Sequence, residues 1–216
     1  MNGKDKIRKL TIIGLMAALL FIMAYTPLGY LKIAFFGLEI TFNVIPVAIA
    51  AIATGPAGGA VTGAVFGLTS FLQCFGANAM GTALLEINPF LTAAVCFLPR
   101  ILDGLITGFI ANALASRSVP APIRCSVSGF AAAFLNTLLY MSALILSFGS
   151  TDIIMNLREQ LAPGKNVFIF VCTMVGINAV VEILVCTAIT CAVGVALSKA
   201  KLLPGKSDKT NAGAAA

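Results

Sequence analysis

Six apolar runs, at 10–25, 41–54, 57–75, 88–115, 125–148 and 167–197, separated by short polar connections, leave this 216-residue chain few ways to fold. As a helix, about 20 apolar residues cover a hydrocarbon core of about 30 Å. Most of the runs are of that order, although 41–54 is short for a full crossing. Composition agrees: 59% of residues are hydrophobic and 10% charged, with a mean hydropathy of +1.01, whereas a soluble domain carries about 25% charged residues. The expectation is an all-α integral membrane protein, a six-transmembrane-helix bundle occupying 1–200. A disordered, Lys-rich tail is expected at 201–216.

The breaks are equally readable. Pro27, Gly29 and Gly37 make "TPLGYLKIAFFGLEI" an irregular loop, and Gly55-Pro56 makes a tight return. "GANAMGTALLEI" reads as a polar-flecked loop, "SRSVPAPIR" as a proline-broken basic connection, and 149–166 as a connection long enough for a short helix. Six spans put both termini on one side. That side has ten of the fourteen lysines and arginines: Lys4, Lys6, Arg8, Lys9, Arg117, Arg124, Lys199, Lys201, Lys206 and Lys209. Lys32, Arg158 and Lys165 fall on the other side, and Arg100 falls within the membrane. By the positive-inside rule both termini are cytoplasmic. The long polar loops at 26–40, 76–88 and 149–166 then face outward. The first run lacks a cleavage site and reads as a retained helix, and no convincing internal repeat is present.

Several chemistries are excluded. There is no histidine, so imidazole catalysis and His-based zinc motifs are absent. Ser70, Ser142 and Ser147 have no histidine or mid-membrane lysine to activate them, which argues against an enzyme. The six cysteines lie singly in apolar runs and read as small hydrophobes, with no metal site or cofactor expected. "PGKS" at Pro204–Ser207 resembles the end of a phosphate-binding loop, but Ala200 stands where its first glycine is required. The chain therefore has no ATP site of its own.

What remains is a set of polar residues at membrane depth, each costly unless paired or facing a cavity. They are Gln73, Asn88, Arg100, Asp103, Asn136, Tyr140, Asn178 and Glu182. Asn136 and Tyr140 are four apart, as are Asn178 and Glu182, so each pair shares a helix face. These are either interhelical hydrogen-bonding groups or the walls of a shared interior site. Arg100 lies about 18 Å into its span, with Asp103 three residues on and Glu182 at comparable depth. The expected arrangement is a buried ion pair of Arg100 with Asp103 or Glu182, with a substrate anion as the alternative partner. Pro99 should kink its helix or free the Val95 carbonyl. In the first run, Gly14, Ala17 and Ala18 form a small-residue stripe suited to close helix contact, within the bundle or with another subunit.

Three stretches, "RKLTIIGLMAAL", "GPAGGAVTGAVFG" and "EINPF" followed by "LPRILDGLITGF", resemble the substrate-binding S components of energy-coupling factor (ECF) vitamin transporters. "TPLGYLKI", "TSFLQCFG" and "LLEINPF" are most similar to the pantothenate-specific members. The resemblance implies a high-affinity substrate-binding subunit in a bacterial plasma membrane that takes up its vitamin from outside under a mobile first loop. A transmembrane coupling subunit and two cytoplasmic ATPases would topple it in the membrane to release cargo. It also implies that the Gly14, Ala17 and Ala18 stripe meets the coupling subunit, and that "PRILDG" belongs to shared scaffold. For pantothenate, an anion with two hydroxyls and an amide, the candidate ligands are Tyr30, Lys32, Gln73, Asn88, Arg100, Asn136, Tyr140 and Asn178. The alternatives are an S component for folate, a pyridoxine-like compound or a pyrimidine precursor, and a stand-alone proton-coupled secondary transporter using Glu182 or Asp103.

Overall fold

A computed structural model describes residues 3–26, 29–32 and 39–203, with backbone alone for Lys4, 30–32, 39–40, Ile177 and Asn178. Among the described residues there are eight helices: α1 (Gly3–Ala24), α2 (Val44–Thr54), α3 (Pro56–Gln73), α4 (Ala79–Ile87), α5 (Pro89–Ser116), α6 (Ala121–Phe148), α7 (Asp152–Leu161) and α8 (Val167–Lys199). Two three-residue strands, β1 (Tyr30–Lys32) and β2 (Glu39–Thr41), pair antiparallel with Tyr30 opposite Thr41 and Lys32 opposite Glu39. The segment expected to be irregular thus holds a strand pair, and "GANAMGTALLEI" holds a helix instead of a loop. That helix forms because the Asn78 side chain accepts from the Gly81 N–H at its start and Leu84 buries against the core.

Helices α1, α2, α3, α5, α6 and α8 alternate in direction. Gln73 at the end of α3 reaches Ala24 at the end of α1, and Gly55 lies beside Asn112 near the end of α5. Cys191, late in α8, meets Pro122 at the start of α6. The bundle therefore has a terminal end, where α1 begins and α8 finishes, and a loop end, over which α4 and α7 pack through Leu84 and Ile154. Among the described residues, four segments are long and apolar enough by themselves to qualify as membrane spans: 5–24, α5, α6 and 179–199 of α8. Helix α2 has only eleven residues and all of them are buried, so it is a central core helix rather than a lipid-facing one. Helix α8 breaks at Gly176, dividing its apolar length into two parts.

Two close contacts between backbones set the geometry. Gly55 takes φ +87, which glycine adopts without steric cost, and its N–H closes α2 on the Ala51 carbonyl at 2.9 Å before Pro56 opens α3. Along α3, Gly59, Gly63 and Gly67 face the Gly104, Arg100 and Cys96 carbonyls of α5, so each step of one turn up α3 matches one turn back along α5. A Cβ on Gly59 would sit on the Gly104 carbonyl oxygen, and one on Gly63 would sit on that of Arg100. Small residues here allow a backbone approach that no larger side chain permits.

The terminal end corrects two boundaries. Arg124, read as part of a loop, lies in the first turn of α6 and is buried. Leu203, read as tail, is buried against Ile52, Ala53, Ala111 and Cys125, while Arg8 Nη2 donates to the Leu202 carbonyl at 2.6 Å. Residues 204–216 lie outside the described residues.

Candidate functional site

Arg100 is the centre of the polar interior, and the residue before it determines where its side chain goes. Pro99 has no N–H, so the carbonyl of Val95 is left without its helical donor. Arg100 Nη1 donates to that carbonyl at 2.9 Å. The same guanidinium lies 4.1 Å from the centroid of the Tyr140 ring on α6 and 5.4 Å from that of Phe66 on α3. Both distances are within cation–π range. Its Nε is buried and has no hydrogen-bond partner.

The expected ion pair does not form among the described residues. Asp103 is fully buried and accepts from Thr107 Oγ1 at 3.3 Å, one turn further along α5, while its other oxygen is unpartnered. Helical side chains lean toward the N-terminus, and the free Val95 carbonyl offers Arg100 a nearer acceptor in that direction. Glu182 on α8 accepts from Asn136 Nδ2 on α6 at 3.3 Å, and the Thr41 backbone amide approaches the same carboxylate. Arg100 thus sits among neutral groups, with Asp103 and Glu182 near enough to act on it electrostatically but not bonded to it.

The polar faces read from four-residue spacing do converge: Asn136, Tyr140, Arg100 and Glu182 come together from α6, α5 and α8. Asn136 Oδ1 is buried without a partner, and so faces the interior with an open acceptor. Two other candidates are accounted for by structure. Gln73 Nε2 donates to the Ala24 carbonyl at 2.7 Å, tying α3 to the end of α1. Asn88 caps α5, its Oδ1 accepting from the Phe90 and Leu91 N–H groups at 3.1 Å each. The side chains of Tyr30, Lys32 and Asn178 lie outside the described residues.

Asn43 was not among the sequence candidates, because it stands at the edge of an apolar run. It is 0% exposed, and neither Oδ1 nor Nδ2 has a hydrogen-bond partner. Burying an amide unsatisfied costs about 1–3 kcal/mol on the scale of protein substitutions. The sequence signal available was "FNVIP", an asparagine placed just before an apolar helix where a cap is expected. The side chain does not cap α2.

On the outer surface of α1, the stripe stands open. A Cβ on Gly14 would meet nothing within 4 Å, Ala18 is exposed and Ala17 is partly exposed. Gly14 and Ala18 are therefore open to a neighbour outside the described bundle.

The model for the ECF transporter, substrate-specific component family matches residues 8–194. The chain belongs to that family. A curated relative, "Pantothenate transporter PanT" of Leuconostoc mesenteroides subsp. mesenteroides, is 28% identical over 200 residues, covering 89% of this chain and 92% of the relative. Membership makes the chain a transporter component, working with other subunits on a small-molecule substrate, and its apolar helices are those of a multi-pass membrane protein.

Proposed function

We propose that this S component binds pantothenate with high affinity and delivers it through a complex with a coupling subunit and two ATPases in the bacterial plasma membrane. In this reading α2 and α3 complete six crossings, both termini are cytoplasmic and the loop end faces outward. The observation that carries the reading is Arg100, a buried cation held by a carbonyl and two aromatic rings instead of a carboxylate. A cation so placed keeps N–H donors for an anion. The Tyr140 ring lies over it, Asn136 one turn earlier on α6 offers a buried, unpartnered Oδ1, and apolar Phe66 and Val95 supply walls for a branched ligand. The strand pair β1–β2 and the first loop serve as the lid, with Tyr30 and Lys32 on it, and Asn178 contributes from α8. Gln73 and Asn88 position helices around the site instead of binding ligand.

The subunit purified in detergent is tested first by mass spectrometry of the co-purified small molecule and by calorimetry with pantothenate. Recovery of pantothenate, with tight one-to-one binding, is expected. Recovery of folate, a pyridoxine-like compound or a pyrimidine precursor refutes the substrate and leaves the family unchanged. Proteoliposomes holding this chain alone should not accumulate pantothenate, and those that also hold the coupling subunit and ATPases should. Proton-dependent accumulation by the chain alone would instead establish a secondary transporter.

A further inference from the structure

We infer that Asn43 is a specificity-determining residue that reads the amide of the ligand. The inference rests on the site proposed above and extends it to α2. Asn43 lies one turn before Val47, whose side chain packs with Phe66, the ring beneath Arg100. Its neighbour Val44 packs against Ala132 and Ala133 of α6, one turn before Asn136. Two residues earlier, the Thr41 backbone amide approaches Glu182. Asn43 thus opens the helix that packs on the Phe66 ring beside Arg100 and on the α6 face leading to Asn136, two residues after the backbone amide that approaches Glu182.

The side chain is turned inward although its position invites capping, and it makes no cap hydrogen bond. A carboxamide has two donor hydrogens and two acceptor lone pairs, and here both heavy atoms are buried without a partner. Above it sits Gly29, which is buried, and a Cβ at Gly29 would lie 2.8 Å from Asn43 Oδ1. The Gly29 backbone therefore lies directly against this carboxamide and the Met23 carbonyl, an approach that a side chain at position 29 would block. A group fully buried, unsatisfied and covered by the Gly29 backbone is matched by a ligand that supplies a donor and an acceptor together. A hydroxy-carboxylate that carries a secondary amide does so. Oδ1 accepts the ligand amide N–H while Nδ2 donates to the neighbouring hydroxyl oxygen, which can lie on the same side as that N–H, with the carboxylate on Arg100.

The probes are pantothenate and its ester analogue, in which oxygen replaces the amide N–H. The wild-type subunit should bind the amide about 10- to 100-fold more tightly than the ester, because an unmatched Oδ1 remains buried in the ester complex. Asn43→Leu, of similar bulk, should weaken pantothenate binding by a similar factor and reduce the preference for amide over ester to within about threefold. Its thermal midpoint without ligand should stay level or rise, since an unsatisfied amide has been removed; a purely structural asparagine would lower it. Asn43→Ala is the second variant, should Leu fail to fold. Retained preference in either folded variant, or equal wild-type binding of both probes, refutes the inference and leaves the site reading intact. Failure of both variants to fold makes Asn43 structural and also refutes it. Wild-type protein that binds neither probe refutes the site reading, and this inference with it.

Discussion

Arg100→Met separates a binding arginine from a supporting one, and the contacts fix what each predicts. The guanidinium makes one charge-assisted hydrogen bond, to Val95, worth about 1.5–3 kcal/mol. The Tyr140 and Phe66 rings add about 0.5–2 kcal/mol each. Opposing these is the desolvation of a buried ion, several kcal/mol. With no bonded carboxylate to leave stranded, the terms nearly cancel. A methionine follows the path of the arginine's aliphatic stem and ends at the level of Nε, so the thermal midpoint without ligand should move by no more than about 4 °C, the shift that about 1 kcal/mol produces in a chain of this size. The ligand-bound protein differs. Removing one partner of a buried, hydrogen-bonded charge pair costs about 2–5 kcal/mol, so affinity for pantothenate should fall by about 30- to 5,000-fold. Arg100→Lys keeps the charge without the planar fork and should fall between wild type and Met. Calorimetry and a thermal melt of the detergent-solubilised subunit read both quantities. A Met variant that does not fold would show that Arg100 supports the bundle, and one that binds within threefold of wild type would place the anion elsewhere.

Three further outcomes follow from the packing. Gly63→Val drives a branched side chain onto the Arg100 carbonyl; it should cost about 1–3 kcal/mol or more in stability and weaken binding along with it, read as a lowered melt and a raised Kd. Gly14→Leu should leave the melt and pantothenate affinity of the isolated subunit unchanged, because nothing lies within 4 Å, yet abolish co-purification with the coupling subunit; persistent co-purification would remove the stripe from the docking surface. A chain ending at Ala200 should melt several degrees lower than one ending at 203, because it loses Leu203 from its apolar site and the Arg8 bond to Leu202; equal melting would show that these contacts contribute little.

The sequence made the long helices legible because apolar runs and proline or glycine breaks are local signals. Asn88-Pro89 marks the start of α5 and Gly55-Pro56 marks the return between α2 and α3, both where the structure places them. It reads α4 as a loop, because those nine residues bury only Leu84 and so carry little periodicity. The convergence of Asn136, Tyr140, Glu182 and Arg100 was readable from spacing and depth. Their pairing was not, because it depended on competition. Spacing put Asp103 within reach of Arg100, but the carbonyl freed by Pro99 lay nearer and Thr107 engaged Asp103. Asn43 escaped notice because an asparagine before a helix has an ordinary capping explanation, and only its burial without a partner removes that explanation.

Pro99 and the α3 glycines together explain why a family scaffold motif and a binding residue can be the same residue. The glycine face holds the α5 backbone at Arg100 against Gly63, so the base of the arginine cannot shift without separating two helices. The Val95 carbonyl then holds one end of the guanidinium, and the rings of Phe66 and Tyr140 hold its faces. Everything that fixes the cation is neutral. A carboxylate in any of those places would fix it equally well, but it would also compete with an incoming anion for the same donors. Holding a charge with a carbonyl and two rings keeps it rigid while leaving it available, which is the preorganisation that tight binding of a small anion requires. The scaffold role read from "PRILDG" and the ligand role read from the missing ion pair are therefore compatible, and Pro99→Ala tests the link between them. A restored N–H at position 99 competes for the Val95 carbonyl, so the variant should keep its fold and lose affinity for pantothenate about 3- to 10-fold, as expected when a neutral hydrogen bond that orients the cation is weakened. Unchanged affinity would mean that the rings alone hold Arg100 in place.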